Sequence, residues 1–93
     1  MDEKIRKKIE EIDLKLLQLL KKRQQLVEKV ALFKAKNRIP IRDKEKEFKT
    51  IKQLKKEGKK LGISPSATRR IWLEILKESR STQKETFRQL KKK

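Results

Sequence analysis

Apolar residues recur along the first part of the chain at alternating steps of three and four: Ile5, Ile9, Ile12, Leu16, Leu19, Leu26, Val30 and Phe33. That spacing lays them along one stripe of a helix and predicts a first helix over residues 2–36. One position breaks the stripe, where Arg23 stands between Leu19 and Leu26. The segment 37–42 then interrupts the pattern, because Pro40 biases Ile39 away from helical conformation. Asp43 is a good N-cap and opens a second predicted helix over 43–61. This helix carries Phe48, Ile51, Leu54 and Leu61 on one side, is weakened at Gly58, and ends near Gly62, a residue suited to a left-handed C-cap. Ser64 followed by Pro65 marks the start of a third helix over 64–90, with Ile71, Trp72, Ile75 and Leu76 along its apolar face.

Strand-like alternation is nearly absent, so the fold class is all-α with three helices. A first helix of this length runs roughly 50 Å, longer than a compact domain of 93 residues is wide. Its apolar stripe predicts a partner. The simplest partner is the same helix of a second copy, related by a twofold axis.

Composition changes this picture. Hydrophobic residues make up 33% of the chain and charged residues 46%, a balance near that of disordered segments, yet the periodicity argues for a folded helical domain. One domain of this size buries only a modest core, which strengthens the case for self-association. The chain has no Cys and no His, which excludes disulfide scaffolds, thiolate metal sites, thiol nucleophiles and imidazole bases. No apolar leader opens the sequence and no run approaches the roughly 18 apolar residues of a membrane span, so a cytoplasmic protein is expected. The formal net charge of +17 fits attraction to nucleic acid, capture of a small anion, or the Lys/Glu-rich surface of a thermophile.

The informative chemistry lies in polar residues that fall on apolar faces. Burying an unpaired guanidinium is costly, so Arg23 is expected either to meet a fixed anion or to reach the helix edge or an internal carboxylate. Lys34 follows Leu20, Val27 and Ala31 on the neighbouring stripe and can point the same way, or be an ordinary solvated lysine. Arg6, near the start of the same helix, could reach the central pocket of an antiparallel partner. On the third helix, Ser79 and Gln83 continue the stripe of Trp72, Ile75 and Leu76, either as ligand contacts or as a back-bonded serine and an interhelical glutamine. At the second helix, Asp43 reads as a cap, while Lys46 and Glu47 are surface residues unless the others give them company.

Together these residues resemble the all-helical chorismate mutases, from Arg6 to Gln83. The resemblance is carried by Arg6 with Asp13 seven residues later, by Arg23 in mid-helix, by Lys34 near the helix end, by "IPIRDKEKE" from Ile39 to Glu47, and by "ESRSTQ" ending at Gln83. It implies an intertwined homodimer of three-helix chains that rearranges chorismate to prephenate without a covalent intermediate, cofactor or metal. By that resemblance Arg23, and Arg6 from the partner subunit, bind the two substrate carboxylates, and Lys34 contacts a carboxylate and the ether oxygen. Gln83 donates to the same oxygen, Ser79 assists a carboxylate, and Glu47 and the backbone near Asp43 meet the substrate hydroxyl, with Lys46 beside them. Lys46 departs from the family, which usually has Arg there, so a bidentate contact is lost or rerouted at that point. The resemblance also implies a monofunctional chain without a fused dehydratase or dehydrogenase, and hence without feedback control.

Three rivals remain. An isochorismate-pyruvate lyase shares the fold and the cations, and only the loop before Asp43 and a hydroxyl-directed Glu47 favour the mutase. A nucleic-acid-binding helical module is suggested by +17 and by Lys55-Lys56 and Lys59-Lys60, but aromatics are 4% of the chain and the key cations lie on apolar stripes. A silent dimerisation module would use the polar positions only to set register.

Overall fold

The computed structural model describes residues 2–92, which form three helices in the order α1 (Glu3–Lys36), α2 (Lys44–Lys60) and α3 (Pro65–Lys91). Each begins at a side chain suited to the task. Asp2 accepts from the Lys4 backbone N–H at 2.8 Å, Asp43 from that of Lys46 at 3.0 Å, and Ser64 from that of Ala67 at 3.3 Å, with Pro65 in the first turn. The expected helices are present, and α2 starts one residue after Asp43 because Asp43 itself is the extended cap.

Both α1 and α2 end in the same hydrogen-bonded motif. After α2, Gly62 takes φ of 80° while its N–H and that of Ile63 bond the carbonyls of Lys59 and Gly58 at 3.0 and 2.8 Å. After α1, the left-handed position is filled by Arg38 at φ of 56°, and the Ile39 N–H bonds the Lys34 carbonyl at 2.8 Å. A non-glycine residue there carries a modest steric cost.

α3 is the central element. It packs against α1 along one side and α2 along the other, whereas α1 and α2 make no direct packing contact among the described residues. The chain is therefore a slab of 53 × 27 × 14 Å, little thicker than one helix with its side chains. Among the described residues, Ala31 and Leu76 are the buried apolar side chains, while Leu19, Leu26 and Phe33 of the α1 stripe are about 60% exposed. The expectation that Phe48 and Leu61 share the packed side of α2 needs correction. Ile51 and Leu54 are half-buried, but Phe48 and Leu61 face outward, because the line that meets α3 runs through Glu47, Thr50, Ile51, Leu54 and Gly58. No described helix is long and apolar enough to cross a membrane.

Gly58 is more than a weak point in α2. A Cβ there would lie 2.8 Å from the Thr68 hydroxyl, which is itself held by the Ser64 carbonyl at 3.1 Å. The glycine thus permits the close approach of α2 to α3. Replacing an exposed helical Gly by Ala normally gains about 1 kcal/mol, whereas forcing a Cβ into a filled contact costs about 1–3 kcal/mol. We therefore expect Gly58→Ala to lower the thermal midpoint at fixed protein concentration, and Gly58→Ala placed on Thr68→Ala to raise it. A higher midpoint for the single variant would show that the contact yields easily.

Candidate active site

Where the three helices converge, a cavity of about 170 Å³ is lined by Arg23 and Lys34 of α1, by Asp43, Lys46, Glu47 and Thr50 around the start of α2, and by Ser79, Arg80 and Gln83 of α3. Val27, Val30, Ile41 and Leu76 supply apolar wall. Seven of the eight residues singled out in the sequence meet here. Arg6 does not: it lies seventeen residues before Arg23, roughly 25 Å along the helix, and it is exposed beside Glu3 and Glu10 at 3.4 and 3.9 Å. A larger groove of about 470 Å³ also reaches Arg23 and Ser79, and Leu17, Leu20 and Ile75 line it together with Lys21, Gln24, Glu74, Glu78 and Thr82. Of the residues singled out in the sequence, the larger groove holds only Arg23 and Ser79, whereas the smaller cavity gathers seven.

Arg23 is half-buried and donates from Nη1 to the Ser79 hydroxyl. The Ser79 hydroxyl donates a hydrogen bond to the Ile75 carbonyl at 2.9 Å, so its oxygen is oriented as an acceptor for the guanidinium. None of the ion pairs among the described residues includes Arg23. Burial without a carboxylate partner pushes its pKa below the ordinary arginine value, though a guanidinium remains charged. Four N–H donors beyond the Ser79 bond are thereby left for an anion.

Lys34 donates to the Ile41 carbonyl at 2.7 Å, which ties the loop before α2 to the end of α1 and leaves two ammonium protons for a ligand. Asp43 serves as the α2 cap, so its carboxylate is committed to the Lys46 N–H. Gln83 is 6% exposed, and its Oε1 finds no hydrogen-bond partner among the described residues. An unsatisfied buried amide costs about 1–3 kcal/mol, a cost that a hydrogen-bonding ligand removes. Because the amide can turn about its last torsion, it can offer either oxygen or NH2 to the cavity.

Sequence reasoning missed Arg80. Its Nη1 reaches both oxygens of Glu47, at 2.8 and 2.9 Å, across the α2–α3 contact. The available signal was its position four residues after Leu76 and three before Gln83, on the inward line of α3.

Three fixed cationic side chains, a buried amide and a hydroxyl around a small, partly apolar cavity suit a compact dianion better than an extended polyanion. The family model of chorismate mutase type II matches residues 5–84, which include Arg6 and every residue that lines the cavity. The chain belongs to that family. Over 79 residues it is 40% identical to the bifunctional chorismate mutase/prephenate dehydratase of Buchnera aphidicola subsp. Schizaphis graminum, a match that covers 85% of this chain and 20% of that protein. It is 36% identical over 83 residues to the corresponding enzyme of Buchnera aphidicola subsp. Acyrthosiphon pisum, covering 89% of this chain and 22% of that one. The chain spans about a fifth of the length of these relatives.

Proposed function

We propose that this chain converts chorismate to prephenate, acting as a homodimer in which each cavity is completed by Arg6 of the second copy. The observation that carries the reading is the convergence of Arg23, Lys34, Lys46, Ser79 and Gln83 on one small cavity of a chorismate mutase type II chain. The rearrangement breaks a C–O bond and forms a C–C bond in one concerted step, so it needs no nucleophile, external proton or electron carrier. It needs the substrate folded into its reactive conformer and the developing charge on the ether oxygen met by donors. Arg23 and Arg6 grip the carboxylates, Lys34 and Gln83 face the ether oxygen, and Ser79 fixes the Arg23 fork. Glu47 and the backbone at Asp43 receive the substrate hydroxyl, with Lys46 as a nearby point charge.

The dimer is supported by the exposed apolar stripe of α1 and by the small number of buried apolar side chains in a single chain. Light scattering is expected to give twice the chain mass, and a folded monomer would remove the role of Arg6. The activity is tested by following loss of chorismate absorbance with purified protein and identifying the product. Prephenate supports the reading; cleavage of isochorismate with chorismate untouched would make the chain a lyase of the same fold.

A further inference from the structure

We propose that Arg80 is a positioning residue that allows Glu47 to face a dianionic substrate, an inference that rests on the chorismate reading above. The two side chains are the best-defined ion pair in the cavity wall. Arg80 Nη1 donates to both Glu47 oxygens at 2.8 and 2.9 Å, and the side chains are only 21% and 20% exposed. Arg42 also approaches Glu47, at 3.6 Å, but its side chain is 53% exposed and solvent screens it. Arg80 is thus the cation that fixes this carboxylate.

The charge around the cavity explains why fixing it matters. Arg23, Lys34, Lys46 and Arg80 face Asp43 and Glu47, so four cations against two carboxylates leave two positive charges for a dianion. Without Arg80 one positive charge remains, and Glu47 is left a poorly hydrated carboxylate beside the bound substrate with only the exposed, screened Arg42 near it. It would then repel the substrate carboxylates or turn toward Lys46, in either case giving up its place as acceptor for the hydroxyl. Because that repulsion acts on bound substrate and transition state alike, it appears in KM and not in kcat.

The test is a cycle of Arg80→Met, Glu47→Gln and the double variant in the full chain, with kcat and KM for chorismate and helicity by circular dichroism. Arg80→Met is expected to raise KM about tenfold with kcat within about twofold. A merely structural role would lower the active fraction, and so kcat, with KM unchanged. In the Glu47→Gln background the same Arg80 change is expected to alter KM less than about twofold, since no carboxylate is left to hold. Arg80→Lys keeps the charge but not the fork and is expected to fall between wild type and Arg80→Met. Equal Arg80 effects in the two backgrounds, or an unchanged KM in Arg80→Met with normal wild-type turnover, overturns this assignment alone. Absence of prephenate from the wild-type chain overturns the functional reading and this assignment with it.

Discussion

Arg23→Ala is expected to leave the helices intact and to lower kcat/KM by about a thousandfold or more, the scale seen when a preorganised charged donor is removed from a closed site. Two features separate this from a folding defect. The Ser79 hydroxyl keeps its bond to the Ile75 carbonyl, so deleting Arg23 does not orphan it. The guanidinium itself is held by a hydroxyl and not by a carboxylate, so its removal leaves no unpaired buried anion, and relieving a desolvated cation costs the free protein little. Arg23→Lys keeps a charge but loses the fork, and is expected to retain more activity than Arg23→Ala, roughly 10–100-fold below wild type. Circular dichroism and prephenate formation measure the two halves of the prediction separately. Turnover by Arg23→Ala within tenfold of wild type would remove the residue from the site.

Much of this was legible in the chain because the signals are local. Asp43 and Ser64-Pro65 announce helix starts through their own hydrogen bonds, and Gly62 announces a stop through its φ. Arg23, Ser79 and Gln83 stood out because each replaces an apolar residue in a regular stripe, and such replacements are costly unless something answers them. What was hidden depends on distant partners. Arg80 is one of 30 Lys and Arg residues, and only the crossing of α2 and α3 shows that it grips Glu47. Gly58 looked like a defect because helix propensity is a property of one helix, whereas its use lies in the Thr68 hydroxyl of another. Arg38 offered no sign of a left-handed turn, since its conformation is imposed by closing α1 before Pro40. The outward position of Phe48 likewise follows from which line of α2 meets α3, a choice that the apolar count did not reveal.

The roughly 25 Å between Arg6 and Arg23 along α1 makes the assembly of the site testable. In the proposed dimer each cavity draws Arg23 from one copy and Arg6 from the other, so Arg6→Ala and Arg23→Ala homodimers are each expected to be nearly inactive. Unfolding and refolding the two variants together at equal concentration creates mixed dimers. In a mixed dimer one cavity carries both substitutions and the other carries neither. Random pairing makes about half the dimers mixed, each with one intact cavity, so activity is expected to recover to about a quarter of the wild-type value. Recovery of that size requires Arg6 to act across the interface, because an Arg6 serving its own chain would leave every cavity lacking one arginine. No recovery, with mixed dimers shown to have formed, would mean that Arg6 does not act across the interface, whereas an active Arg6→Ala homodimer would place Arg6 outside the site and leave the α1 stripe as an interface without a catalytic role.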